Sequence, residues 1–305
     1  MLRHVTAGVD ESTESLAAAH WAAREALRLG AELRLVHTWA WHPRPPASVP
    51  ADVSERHWAE QTLDRAVVSV RSAHPGLRIV DRLVADSPVN TLLEEADKAE
   101  LLVLGSRGLG AVTGFVVGSV SQRLVGRSPR PVVLVRARQT LADDHLPAPD
   151  GISPDEIPQT PYRDVVLGLD TARPCDELIE FAFAAAAARR DARLRGIHAY
   201  RLPTAHTVDA GSVPTPAPAL VAERERAVVA TLRPWCEKFP RVPVVESVVR
   251  GRAATELVQA ATGAGLIVVG RRTRDAHLGI GPHIGPVTHA VLHHAGCPVA
   301  VVPHP

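Results

Sequence analysis

The segment RHVTAGVDESTES (residues 3–15) returns as RDVVLGLDTARPC (residues 163–175). Each runs from an apolar stretch through Gly-apolar-Asp into small polar residues and an Ala-rich helical pattern, so Gly8 and Asp10 recur as Gly168 and Asp170. The far ends agree as well. LLVLGSRG (101–108) parallels LIVVGRRT (266–273), and GSVSQRLVGRSPRPVVLV (118–135) parallels GPVTHAVLHHAGCPVAVV (285–302). Self-similarity of this kind constrains a chain more than any local signal, and it calls for two copies of one fold. A length of 305 residues agrees, at about 150 residues per domain. The join is the Pro-rich, acidic stretch 138–161, which lacks apolar periodicity. Domains are therefore expected at 1–137 and 162–305, with 138–161 as linker. Two further Pro-rich stretches, 39–54 and 201–219, hold equivalent places and read as long loops.

Within the first copy, residues 4–9, 33–38, 79–84, 101–104 and 131–135 read as short buried strands. Helical patterns lie between them at 13–29, 54–73, 87–98 and 118–126. Strand and helix alternate throughout, which predicts an α/β fold with a doubly wound parallel sheet in each half. Continuous apolar runs such as LLVL and PVVLV suit strands covered on both faces. Ser12 or Thr13 can cap the first helix, and Asp86 with Pro88 can open the third. The last strands, PVVLV (131–135) and PVAVV (298–302), would be exposed apolar edges if each half stood alone, so they are expected to pair.

Ligands in such sheets bind beyond the carboxyl ends of the strands, where the winding reverses. Asp10 ends the first strand and Gly105 ends the fourth. After Gly105 come Gly108, Gly110, Gly114 and Gly118, then Ser119 and a helix. Glycine costs conformational entropy on folding, so this density needs a reason. The spacing Gly105-x2-Gly108-x9-Gly118-Ser119 lets the backbone turn, expose amides and return at a helix N-terminus. Unpaired N–H groups and partial positive charge make that end favourable for phosphate. Ser119 and Ser121 add hydroxyls, and the Asp10 carboxylate can accept from ribose hydroxyls or a base amine. Taken alone, Asp10 reads first as a turn or capping residue, and the glycines read equally as a flexible loop or a ligand site. Their joint position at two neighbouring strand ends points to nucleotide binding.

Composition narrows the alternatives. The chain has two lysines, Lys98 and Lys238, and no G-x-x-x-x-G-K-[ST], which excludes a P-loop grip. No G-x-G-x-x-G follows the first strand, where a dinucleotide fingerprint belongs. Net charge is +1, so nucleic acid and acidic membranes are not expected partners. Cys175, Cys236 and Cys297 are widely spaced, which suits a reducing compartment and a cytoplasmic location. No apolar run is long enough for a membrane span.

The G-x2-G-x9-G-[ST] loop after the fourth strand, the Asp after the first and the closing PV-V-V strand resemble the universal stress proteins. The resemblance covers nearly all of both halves, so the chain is similar to a tandem universal stress protein. It implies strand order 3-2-1-4-5 in each half, the arrangement of adenine nucleotide alpha hydrolase-like folds. In the ATP-binding branch it implies ATP held by this loop, with magnesium as an ion that could accompany it. By position, Gly8, Val9 and Asp10 would line the adenosine side, with Thr38 meeting adenine through its backbone. Leu104, Gly105, Arg107, Gly108, Gly118, Ser119, Val120 and Ser121 would surround the phosphates. Single-domain relatives are implied to dimerise through their last strands, and the tandem could form a homodimer as well.

The second half keeps Gly168, Asp170, Gly270 and Gly285, with Val287 and Thr288 beyond, as a weaker second site. Thr273 replaces the second motif glycine, and Pro286 replaces the serine of GS. Proline fits the first helical position but removes an amide and a hydroxyl donor. Arg271, Arg272 and Arg274 read as a solvated loop that could compensate by charge. His289 and His293, with His294 and Cys297 nearby, have a spacing that can ligate a metal but lack a carboxylate partner, so no metal site is assigned. Trp39, Trp41 and Trp58 read as packing under the first long loop. No catalytic residue stands out, since neither a Ser-His-Asp nor a Cys-His arrangement is visible. The expected function is an ATP-binding regulatory or stress-response module. A slow ATPase, a nucleotidyl-transfer enzyme and a nucleotide-free interaction scaffold are the alternatives.

Overall fold

A computed structural model of the chain describes residues 3–39, 55–106, 117–147, 156–201, 217–273 and 284–305. In the first half, strands β1 (His4–Gly8), β2 (Glu32–Trp39), β3 (Ile79–Ala85), β4 (Leu101–Gly105) and β5 (Val132–Val135) alternate with four helices. These are α1 (Thr13–Leu29), α2 (Glu55–Ala73), α3 (Pro88–Lys98) and α4 (Ser119–Arg127). A short helix, α5 (Leu141–Asp144), follows. The second half repeats the alternation with strands β6 (Val165–Gly168), β7 (Leu194–Tyr200), β8 (Val244–Arg250), β9 (Leu266–Arg272) and β10 (Val299–His304). Its helices are α6 (Asp176–Ala187), α7 (Ala217–Lys238), α8 (Ala253–Ala260) and α9 (Pro286–His294).

Among the described residues the strands form one sheet in the order β3-β2-β1-β4-β5-β10-β9-β6-β7-β8. Each half is parallel, as the strand–helix alternation predicts, with its strands ordered 3-2-1-4-5, as the family resemblance implies. At the centre β5 and β10 run antiparallel, Val132 opposite Val301 and Leu134 opposite Val299, which covers two apolar edges at once. Side chains alternate across the sheet. Leu101, Val103, Val133, Val135, Ala300 and Val302 join the core under α1, α2, α6 and α7. Leu102, Leu104, Val132, Leu134, Val299 and Val301 join the core under α3, α4, α8 and α9. Both cores run through the two halves without interruption.

The caps follow the local sequence with one correction. Ser12 caps α1 and accepts from the Ser15 amide at 3.1 Å. Gly30 closes the helix at φ 60°, a left-handed conformation that favours glycine. For α3 the cap is Ser87, not Asp86, because Pro88 takes the first helical position; the Asp86 carboxylate instead accepts from the Ser87 amide at 2.6 Å. Two other expectations change. Residues 217–219 belong to α7 rather than to a loop, with 202–216 outside the described residues. Trp58 is 53% exposed on α2 and is not packed away, while Trp41 lies outside the described residues.

The stretch 138–161 carries structure at both ends. Leu146 donates to Pro161 at 2.8 Å, and Arg163 donates to the Asp144 carbonyl at 2.9 Å. Asp144 is buried where it meets Arg24 at 2.8 Å and Arg28 at 2.9 Å, both from α1. Glu25 of α1 in turn meets Arg28 at 2.7 Å and Arg189, just past α6, at 2.8 Å. A buried charge network therefore ties the first half, the connecting segment and the second half together.

Candidate functional site

β1 lies between β2 and β4, so the carboxyl ends of all three open on one crevice. A cavity of about 370 Å³ occupies it. Gly8, Val9, Asp10 and Thr38 line it from the β1–β2 side, and Leu104, Gly105, Gly118, Ser119, Val120 and Ser121 from the β4–α4 side. Ten of the twelve residues expected in the first site thus share one cavity. The other two, Arg107 and Gly108, lie outside the described residues.

Local chemistry assigns these residues different tasks. Asp10 is exposed; its Oδ1 accepts from the Ser12 amide at 2.8 Å and from the Ser12 hydroxyl. The Asp10 amide donates to the Ser15 hydroxyl oxygen at 3.0 Å, which fixes the turn from β1 into α1. Gly105 is required by packing. A Cβ there would lie 2.6 Å from the Glu14 carbonyl carbon and 2.7 Å from the Ser15 nitrogen, because α1 begins against the end of β4. The next amide, that of Ser106, donates to the Val135 carbonyl at 2.8 Å and is not offered to the cavity. The Ser121 hydroxyl donates to the Gly105 carbonyl at 3.1 Å, so it braces α4 rather than facing outward. What remains open is the start of α4. Gly118 gives the helix no side-chain cap, Ser119 is exposed, and a first helical turn has unpaired amides.

Six further residues line the cavity: Ser12, Ser15, Val36, His37, Pro88 and Leu92. His37 could have been found from the repeat, since VHTW (36–39) returns as IHAY (197–200). Pro88 and Leu92 reach the site from α3, and no short motif marks them.

The second half keeps the scaffold of this crevice, and among the described residues the chain itself meets several of its polar groups. Gly285 starts α9 at φ −61°, ψ 157°, against −61° and 152° for Gly118 before α4. The Thr288 hydroxyl donates to the Gly270 carbonyl at 2.7 Å, as Ser121 does to Gly105. However, Pro286 occupies the first position of α9, and Asp170 has Arg272 at 3.7 Å. The amide and hydroxyl of Thr273 both donate to the His304 carbonyl, at 2.6 and 2.9 Å. The His304 ring lies where a Cβ on Gly270 would stand, 2.6 Å from its Nε2. Gly168 abuts Leu257 as Gly8 abuts Leu104, each 2.9 Å from an added Cβ. Val287 packs against the core under α9.

Arg271 and Arg272 belong to a strand rather than a loop. β9 continues through Arg272, and Arg271 is buried with its Nη2 donating to the Ser128 carbonyl at 2.6 Å. Arg274 lies outside the described residues. The rings of His289 and His293 stand 4.3 Å apart. Burial pushes the nearby Cys297 thiol up to about 12, which disfavours the thiolate a metal needs. Among the described residues no group of three or more potential ligands gathers, and no helix is long and apolar enough to cross a membrane.

Comparison with known proteins decides the family. The family model described as the universal stress protein family matches residues 1–136 and again 161–303. The chain belongs to the universal stress protein family. It is a tandem of two such domains. A universal stress protein of Mycobacterium tuberculosis is 34% identical over 312 residues, covering 97% of this chain and 96% of that protein. The crystal structure of a universal stress protein from Archaeoglobus fulgidus shares the fold at a TM-score of 0.65 with 15% identity, over 98% of each chain. A universal stress protein solved in complex with cAMP is 30% identical over 45% of this chain and 98% of its own, at a TM-score of 0.35.

Proposed function

We propose that the first half binds ATP and that the protein acts as a nucleotide-responsive stress module. One observation carries this reading. The cavity joins the exposed Asp10 turn at the end of β1 to the uncapped start of α4, with about 370 Å³ between them. Carboxylate and phosphate sites thus stand at opposite sides of one cleft. The ribose hydroxyls donate to Asp10, and the triphosphate takes the amides and hydroxyl of Gly118–Ser121. The base lies toward Thr38. The units are residues 1–137 and 162–305, joined by 138–161, and the second half is the poorer site. Among the described lining residues the titratable side chains are Asp10 and His37, both on the β1–β2 side. Among these described residues no base stands beside the phosphate position, so hydrolysis is expected to be slow and binding to be the function. Free thiols at Cys175, Cys236 and Cys297 suit the cytoplasm.

Native mass spectrometry of the chain purified without added nucleotide, followed by calorimetry with ATP, tests this. One adenine nucleotide per chain is expected. Asp10→Ala should weaken ATP about tenfold, the effect of one hydrogen bond to a charged group, and Gly118→Ala should crowd the phosphates. Nucleotide-free protein that gives no heat with ATP would overturn the reading.

A further inference from the structure

β8 ends the sheet on the side of the second half, and among the described residues no strand pairs with its outer edge. Its inner edge is fixed by β7. The Leu194 amide donates to the Pro243 carbonyl and the Gly251 amide to the Tyr200 carbonyl, both at 2.9 Å. Backbone polar groups alternate in direction along a strand, so the odd-numbered residues of β8 turn theirs toward β7. The N–H and C=O groups of Val244, Glu246, Val248 and Arg250 therefore face outward. Such a row is a ready template for another strand. Glu246 and Arg250 are both exposed and share one face of β8, with Val248 midway between them. Neither has an ion-pair partner among the described residues. Val245, 37% exposed, adds apolar surface on the other face.

The other end of the sheet is guarded against its own copy. In β3 the Arg78 carbonyl accepts from the Leu33 amide at 2.9 Å, so Ile79, Asp81, Leu83 and Ala85 face outward. A second β3 laid antiparallel and centred on Asp81 would oppose two carboxylates, and one centred on Arg82 would oppose two guanidiniums. Like charges directly opposite destabilise a strand pair. Arg82 is also drawn inward to Glu95 of α3. At the matching positions of β8, Glu246 stands for Asp81, Ser247 for Arg82 and Arg250 for Ala85. These exchanges reverse the outcome. A second β8 laid antiparallel and centred on Val248 sets each Glu246 opposite the partner's Arg250, on one face and with outward backbone groups opposed. Centring on Glu246 opposes two carboxylates, and centring on Ser247 leaves both charges opposite valines, so the charges select the Val248 register.

We infer that the outer edge of β8 is a homodimer interface: the β8 strands of two chains pair antiparallel about a two-fold axis at Val248, with Glu246 of each opposite the partner's Arg250. The occupant is a second copy of this chain because the strand complements itself, and a two-fold contact closes after two chains. Pairing of β8 with β3 of another chain would leave a free edge at each end and grow a polymer. The interface uses no residue of either crevice, so it stands apart from the nucleotide reading above.

Sedimentation velocity of the full chain, from micromolar to millimolar concentration, tests this. The wild type should dimerise and go no further. Glu246→Arg opposes guanidiniums at both ends of the contact, and Arg250→Glu opposes carboxylates. Each should weaken the dimer roughly tenfold. The double variant Glu246→Arg/Arg250→Glu restores opposite charges with the signs exchanged and should dimerise as the wild type does. A mixture of the two single variants should form a heterodimer for the same reason. Hydrogen exchange of the wild type gives an answer even if a variant does not fold: the amides of Glu246, Val248 and Arg250 should gain protection as concentration rises. A monomer at every concentration, a polymer, single variants that dimerise as the wild type does, a double variant no better than the singles, or edge amides that stay unprotected would overturn the inference.

Discussion

The two crevices share a frame and differ in what occupies it. Both have a histidine tied to the carbonyl after the first strand, a hydroxyl tied to the glycine ending the fourth, and a helix opened by glycine in the same backbone conformation. In the first half these elements border a cavity. In the second, Arg224 sits on His198, Arg272 sits on Asp170 and the Thr273 donors serve His304. Groups that hold the fold are thus duplicated, while groups that face the crevice are answered by the chain itself. Two copies of one frame can thus diverge by acquiring internal partners as well as by losing motif residues.

The seam between the halves is the least symmetric part and should show the largest effect. α1 contributes Arg24, Glu25 and Arg28 to it, whereas residues 184–188 of the second half are all alanine before Arg189. Burial would push the Glu25 carboxyl up, but the Arg189 and Arg28 guanidiniums reverse this and hold it below the usual carboxylate range. Burial likewise opposes Asp144, and Arg24 and Arg28 hold it low. A lowered folded-state pKa stabilises above the unfolded value, about 4, and that stability is lost as pH falls through the folded one. Urea midpoints should therefore be level near neutrality and fall below about pH 4. Glu25→Ala leaves the buried Arg189 without its carboxylate and Arg28 with Asp144 alone, and should cost about 3–5 kcal/mol in urea unfolding at neutral pH. A loss under 1 kcal/mol would mean that the halves do not depend on this network.

Gly105 and Gly285 sharpen the contrast between scaffold and opening. Gly105→Ala drives a Cβ into the backbone of Glu14 and Ser15, so α1 must shift; overpacking of this kind costs about 1–3 kcal/mol. The Asp10–Ser15 turn should move with it, and ATP affinity should fall. Gly285→Ala meets nothing within 4 Å and has an ordinary negative φ. It should stay within about 0.5 kcal/mol of the parent. Thermal melts of the two variants give the answer, and equal losses would show that glycine serves the same purpose in both loops.

The fold was legible because its signals are redundant. Apolar runs, caps and the repeat all specify the same alternation, and the strand order, which came from the family resemblance, is the observed one. The crevice was legible through Asp10 and the Gly118–Ser119 helix start, which are local features. Arg224 was not, because it reaches the crevice from the middle of α7, and no short-range pattern links it to His198. The reason for Gly105 was misread for a similar cause: its neighbour is the start of α1, about ninety residues earlier in the chain, a contact that only the parallel winding creates. Arg271 and Arg272 read as loop because β9 outlasts β4 by two residues, held by pairing with Pro303 and His304.

The smallest expected effect separates the two ways in which the second crevice differs. Pro286 removes one amide and one hydroxyl from the start of α9, and Gly285 already has the backbone conformation of Gly118. Pro286→Ser should therefore restore donors without rebuilding the helix. A hydrogen bond to a charged group is worth about 1.5 kcal/mol at the low end, or roughly tenfold in affinity. That gain cannot reopen a site whose aspartate and histidine still face Arg272 and Arg224. Calorimetry on Pro286→Ser alone should show one tight ATP per chain, with at most a weak second event. Adding Arg224→Ala and Arg272→Ala should bring the second event into range. Two equal sites in Pro286→Ser alone would make the proline the whole difference and the arginines bystanders. Two equal sites in the unmodified chain would mean that ATP displaces these internal partners at little cost, and the distinction between the halves would then be one of shape without consequence for binding.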